Sequence, residues 1–107
     1  MIQTLGGITM NIVKKANGTA LTLALEGRLD TTTAPDLEVV VKNELGDVNA
    51  LTIDLSELEY ISSAGLRVLL AAQRIMNQQG EMSVIGCSED IMEIFDVTGF
   101  SDILNIV

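Results

Sequence analysis

Apolar residues alternate with polar ones at the start of the chain. Ile8, Met10 and Ile12 recur at every second position, as do Leu21, Leu23 and Leu25, and Asn17-Gly18 lies between the two runs. Period two puts such residues on one face of a strand, and Asn-Gly favours a tight turn, so the pattern predicts a β-hairpin. The period then lengthens. Leu37, Val40, Val41 and Leu45 follow helical spacing; Thr33-Ala34-Pro35-Asp36 opens that helix with a threonine cap, an early proline and a first-turn acid, and Gly46 closes it. Leu51, Ile53 and Leu55 predict a buried strand over 51–55 that contains Asp54, with a polar break at Ser56-Glu57 before Leu58, Tyr60 and Ile61. A second helix is predicted over 66–79, where Leu66, Val68, Leu69, Leu70, Ile75 and Met76 fall among good helix formers without proline. A strand over 82–85, a short helix over 89–96 capped by Ser88 and burying Ile91, Ile94 and Phe95, and a last strand over 103–107 complete the pattern. A hairpin followed by strand and helix in alternation implies an α/β fold, a mixed β-sheet with parallel crossovers packed against α-helices.

Composition narrows the class. Residues 1–107 are expected to form one domain, and a chain of this size buries roughly 60 to 70% of the surface it exposes when unfolded. The 48% apolar content is enough for a real core. A single cysteine, Cys87, makes no internal disulfide, which favours a reducing compartment and a small core residue. Residues 1–10 lack both a basic start and a continuous apolar run, and nothing approaches the ~20 apolar residues of a membrane helix, so a cytoplasmic protein without membrane insertion is expected. Fifteen acids against six bases leave a net charge of −9, which phosphate backbones would repel; direct nucleic-acid binding is not expected.

The candidate chemistry sits at Ile61-Ser62-Ser63-Ala64-Gly65-Leu66, where a buried strand turns into an apolar helix. A helix start presents unpaired N–H groups and the positive end of the helix dipole, so it welcomes an anion. A serine there caps the helix, stabilising by about 1 kcal/mol, or accepts a phosphate; the two roles are compatible. Enzyme readings fare worse. The absence of histidine removes the Ser-His-Asp triad, the Cys-His pair and the usual zinc sites, and Lys14, Lys15 and Lys42 lie on an outer hairpin and first helix with no evident route to Ser63. No glycine pattern matches a phosphate-binding loop. Asp54 near a strand end resembles a receiver-domain phosphoacceptor, but a receiver opens with a strand-helix unit and uses a late lysine, whereas no lysine follows Lys42. Asp54 is read instead as a structural acid bonded to a nearby N–H. No catalytic residue, cofactor or metal is expected.

Leu51-Thr52-Ile53-Asp54-Leu55-Ser56, then Tyr60-Ile61-Ser62-Ser63-Ala64-Gly65-Leu66 with Val68 and Leu69, resemble the signature of the STAS domain, in particular of the bacterial anti-sigma factor antagonists. Glu26-Gly27-Arg28-Leu29-Asp30 with Thr31 to Ala34, Gly80-Glu81-Met82, Ile94-Phe95 and Gly99-Phe100 extend the resemblance in the right order over about 8–107. It implies a partner switch. An unphosphorylated antagonist binds an anti-sigma factor that is also a serine kinase, freeing a sigma factor, and phosphorylation breaks the complex. By position the phosphoserine falls on Ser63, with Ser62 as the competing acceptor. Two places depart from the family's pattern: Ser62 stands where an aspartate is frequent, and Ala64 where serine or threonine is. Asp30 matches an aspartate in a region like the kinase-binding surface, and also reads as a helix or turn cap, with Thr31, Thr32 and Thr33 serving that cap and loop.

Helical spacing adds a surface. Arg67, Ala71, Arg74 and Gln78 share one stripe of the second helix, which reads either as a solvated face or as a partner surface in which a Ser63 phosphate draws on Arg67 one turn away. The expected partner-binding set is therefore Asp30, Ser62, Ser63, Gly65, Arg67 and Arg74, the partner an anti-sigma factor/serine kinase, with a serine phosphatase as the enzyme that would reset the switch and a monomer as sufficient. Two other readings keep the fold: a scaffold subunit of a lipid or anion transport system, and a module that binds a nucleotide or other small ligand at the Ser63 helix end.

Overall fold

The computed structural model of the chain describes residues 10–107, so Ile8 and the expectations placed on the first nine residues lie outside the described residues. Eight apolar-patterned residues form β1 (Met10–Asn17) and pair antiparallel with β2 (Ala20–Leu29). The connecting turn is Gly18-Thr19, one residue later than Asn17-Gly18: Asn17 still pairs with Ala20, and Gly18 takes the positive φ of 61° that a two-residue turn requires at its first position. Next come α1 (Ala34–Glu44), β3 (Ala50–Ile61), α2 (Ser63–Asn77), β4 (Glu81–Ile85) and α3 (Glu89–Thr98). The sheet is four-stranded, ordered β1-β2-β3-β4, with β2, β3 and β4 parallel. It is the mixed sheet expected, opened by a hairpin and packed against helices.

Register explains where the core lies. Leu21, Leu51 and Met82 are aligned across the three parallel strands, as are Leu23, Ile53 and Val84, and all are buried. Helices α1 and α2 pack on each other, and Leu37, Val41, Leu69 and Met76 join the same cluster, with Ile91 and Phe95 of α3. Each fully buried aliphatic side chain contributes about 1.5–3 kcal/mol of hydrophobic stabilisation. The alternate rows, Thr22-Thr52-Ser83 and Ala24-Asp54-Ile85, are only half-buried. Val40, Ile94 and Cys87 also prove half-buried and pack at the margin of the core.

Three boundaries differ from the pattern. The strand predicted over 51–55 runs on to Ile61, because the polar break at Ser56-Glu57 is absorbed by irregular pairing with β2. Ala24 pairs with Asp54 but Glu26 with Glu57, and Gly27 pairs with Leu58 but Arg28 with Tyr60, so β3 holds one extra residue at each of two bulges. Burial accordingly steps by three, at Leu55, Leu58 and Ile61. Asp54 secures the first bulge by accepting from the Ser56 N–H at 2.9 Å and the Ser56 hydroxyl at 2.6 Å, which holds its carboxyl below the ordinary range, with Lys15 adding to the effect. Helix α2 begins at Ser63, earlier than the apolar run. The last strand does not form: a 3₁₀ turn at Phe100–Asp102 takes Ile103 and Leu104 into hydrogen bonds with the Phe100 carbonyl, leaving one isolated bridge between Val84 and Ile106.

The contact that fixes the start of α2 is made by a glycine. Gly65 is buried, and a Cβ on it would stand 2.6 Å from Leu29 Cγ and 3.0 Å from Ile61 Cγ1. Leu29 and Ile61 end β2 and β3 and are themselves buried, so neither can move aside. Overpacking of this kind costs about 1–3 kcal/mol, more than the ~1 kcal/mol alanine gains over glycine in helix propensity. Gly65→Ala is therefore expected to lower the urea midpoint without changing the slope of the transition; equal or raised stability would contradict this packing.

Candidate functional site

Two strands end side by side, and each feeds a helix. Beyond Leu29, β2 passes through 30–33 into α1; beyond Ile61, β3 passes through Ser62 into α2. The Ser62 N–H donates to the Leu29 carbonyl at 2.8 Å, tying the two exits together. The positive ends of both helices thus lie at the carboxyl ends of neighbouring parallel strands. Sequence spacing alone had suggested this for α2.

Ser62 and Ser63 divide the two roles expected of that pair. Ser62 is the N-cap, with extended backbone, and its half-buried hydroxyl accepts from the Gly65 N–H at 3.3 Å. Its carbonyl accepts from Leu66 N at 2.9 Å. Ser63 is the first helical residue and is exposed. No hydrogen bond holds its hydroxyl among the described residues. A serine therefore does at 62 the capping work that an aspartate side chain can also do, and the free hydroxyl is one residue on.

Asp30 acts through one oxygen. Its Oδ1 accepts from the Thr32 hydroxyl at 2.7 Å, the Thr32 N–H at 2.9 Å and the Thr33 N–H at 3.2 Å. These bonds, led by the Thr32 hydroxyl, hold the carboxyl below the ordinary range although partial burial pushes the other way. Thr33 is not the side-chain cap expected of it. Its buried hydroxyl instead accepts from the Asp30 N–H at 2.9 Å and donates to the Arg28 carbonyl at 2.7 Å, closing the turn from inside. Asp30 is thus a turn-forming acid at the mouth of α1, with its other oxygen left towards Arg28.

Arg28 and Tyr60 were not singled out by the sequence. They are register partners at the second bulge, and the guanidinium carbon lies 4.4 Å from the centre of the Tyr60 ring while Nε is 3.7 Å from Asp30 Oδ2. Tyr60 keeps 38% of its surface exposed. Stacked arginine and tyrosine beside a charged loop have the composition of protein-binding hot spots. Arg67 and Arg74 are both exposed, and Arg67 lines a shallow groove between the starts of α1 and α2 with Thr31, Pro35, Glu38, Ala64 and Val68. Gly65, expected in the partner-facing set, lies beneath this surface and supports it. Arg74, eleven residues beyond Ser63, stands about 16 Å along the helix and belongs to the same face but not to the same cluster.

Among the described residues no group of three or more acidic or sulfur ligands could hold a metal ion, and no helix is long and apolar enough to cross a membrane. Nothing in the Asp30, Ser62, Ser63 and Arg28 arrangement pairs a nucleophile with a base. What it offers is an exposed hydroxyl at a helix start, at the same end of the sheet as the Asp30 turn and the Arg28–Tyr60 stack.

Residues 11–107 match the sequence profile of the STAS domain. An anti-sigma-B factor antagonist of Listeria monocytogenes is 32% identical over 102 residues, covering 91% of this chain and 90% of that protein. An anti-sigma-B factor antagonist of Staphylococcus epidermidis is 30% identical over 82 residues, covering 75% of this chain and 76% of that protein. The crystal structure of an anti-sigma factor antagonist from Mycobacterium paratuberculosis superposes with a TM-score of 0.83 at 23% identity, over 92% of this chain and 85% of that one, so the two share a fold.

The Asp30 turn makes a pH-dependent prediction. A carboxyl whose folded value lies below its unfolded value near 3.8 adds stability above that value and loses it as pH falls through the lower, folded one. The stability difference between the parent chain and Asp30→Asn should be full at neutral pH and close as acid is added below pH 3.8. A difference that stays constant across that range would mean that the ionised form is not what the loop binds.

Proposed function

The chain belongs to the STAS domain family, and from that membership we propose that it is an anti-sigma factor antagonist, a protein-binding switch controlled by phosphorylation of Ser63. In the proposed cycle the unmodified chain binds an anti-sigma factor that is also a serine kinase. The kinase phosphorylates Ser63, the complex separates, and a serine phosphatase resets the chain. The chain acts by binding rather than by catalysis, as a cytoplasmic monomer.

The observation that carries this reading is the unequal placing of the two serines. Ser62 has its hydroxyl in the cap, where a phosphate would displace the bond to Gly65 N; Ser63 projects from the first helical position with its hydroxyl free. A phosphate there adds about 1.5 to 2 negative charges at the positive end of the helix, so the fold tolerates the modification while the surface changes sign locally. Asp30, Arg28 and Tyr60 lie around the same strand ends and supply the fixed part of the binding surface.

The test uses the full chain with Ser63→Ala as bait. It should retain a serine kinase from extracts of the source cells, and the purified kinase should phosphorylate the parent chain and Ser62→Ala but not Ser63→Ala. Phosphorylated chain should bind that kinase at least about tenfold more weakly than unmodified chain, the change expected when one charge-assisted contact at an interface is lost. Equal affinity of the two forms would contradict the switch. Phosphorylation of Ser63→Ala at Ser62 would keep the switch and move its residue.

A further inference from the structure

The acidic residues of this chain avoid α2. Residues 60–80 contain two arginines and no aspartate or glutamate, in a chain whose net charge is −9. Arg67 is exposed and takes part in none of the ion pairs among the described residues, which join Lys14 to Glu44, Arg28 to Asp30 and Lys42 to Glu38. Glu38 lines the same groove as Arg67 yet is engaged on its own helix by Lys42. Arg67 therefore carries a charge that no direct ion pair engages among the described residues. It also stands four residues after Ser63, the spacing at which helix side chains are neighbours, and an acid preceding a base by four is the favoured order.

We propose that Arg67 reads the state of Ser63: free, it receives an acidic group of the partner, and once Ser63 is phosphorylated it turns to the phosphate within its own helix. This rests on Ser63 being the modified residue. Phosphorylation then acts twice on the interface, adding negative charge and withdrawing a cation, with no change of fold. A guanidinium forms paired hydrogen bonds to phosphate oxygens, a geometry that lysine does not reproduce. Arg74 is too far along α2 to reach the phosphate, and Arg28 is held by Tyr60 and Asp30, so both serve as internal controls. The other charged side chains on the elements around the phosphate are Glu26 on β2, Asp30 before α1, Asp36, Glu38 and Glu44 on α1, and Asp54, Glu57 and Glu59 on β3, all acidic and opposing the dianion that Arg67 favours, and one base, Lys42, which lies beside Glu38 in the last turn of α1.

The test places phosphoserine at position 63 of the full chain by genetic encoding and follows its ³¹P resonance against pH. Because the modification is installed, the result does not depend on whether cells phosphorylate Ser63. Arg67→Gln should shift the second ionisation of the phosphate, normally near 6, upward by about half a unit, a threefold change in proton affinity, while Arg74→Gln leaves it unchanged. An unshifted titration in Arg67→Gln, or a shift produced by Arg28→Gln instead, would overturn the assignment. With the kinase recovered on the Ser63→Ala bait, unmodified Arg67→Gln should bind about fivefold more weakly and with a shallower dependence on salt; unchanged affinity and salt dependence would show that Arg67 meets no acidic group there.

Discussion

The site depends on how closely the first turn of α2 is seated on the ends of two strands. Gly65 brings helix backbone within side-chain contact of Leu29 and Ile61, and the Ser62 N–H reaches the Leu29 carbonyl at 2.8 Å. With those contacts made, the direction of α2 is set, Ser62 falls into the cap and Ser63 is turned outward. A side chain at 65 would lift the helix start, and both serines would lose their distinct surroundings. The glycine of the motif is thus a packing requirement that acts on function from below the surface.

Electrostatics then follows from topology. Crossovers between parallel strands carry β2 and β3 into helices that start at the same end of the sheet, so the two positive helix ends come together without any charged residue arranging it. The chain keeps its acids off α2 and fixes one, Asp30, in a turn where hydroxyls and N–H groups keep it ionised. The result is a small surface of opposed, positioned charges on a protein whose net charge is −9. A phosphate is a large perturbation to such a surface and a small one to the core.

Most of the architecture was legible because burial imposes period. Leu21, Leu23 and Leu25, Leu51 to Leu55, and the apolar face of α2 could be assigned from spacing, since each faces a core on one side. The serine pair was legible as a helix start, and its family from the order of motifs. What stayed hidden was register. The two bulges move β3 by two residues relative to β2, from Ala20 opposite Ala50 to Arg28 opposite Tyr60, so the stacked pair at the site has no signature in spacing. The break at Ser56-Glu57 reads as a strand end for the same reason: a bulge breaks period two without ending the hydrogen bonding. Thr33 reads as a cap because the residue type is right, yet its hydroxyl is used inward by Arg28 and Asp30, a choice that only the folded turn determines. The terminal strand was predicted from apolar residues that a 3₁₀ turn had already taken up.

The central claim is that Ser63 carries a phosphate whose occupancy changes with the state of the cell. Intact-mass analysis with peptide mapping of the chain isolated from its own cells, growing and starved, tests it most directly. The account predicts a single added phosphoryl group on Ser63 with clearly different occupancy in the two cultures. A chain unmodified in both would contradict it and point to a constitutive binding role for the same surface.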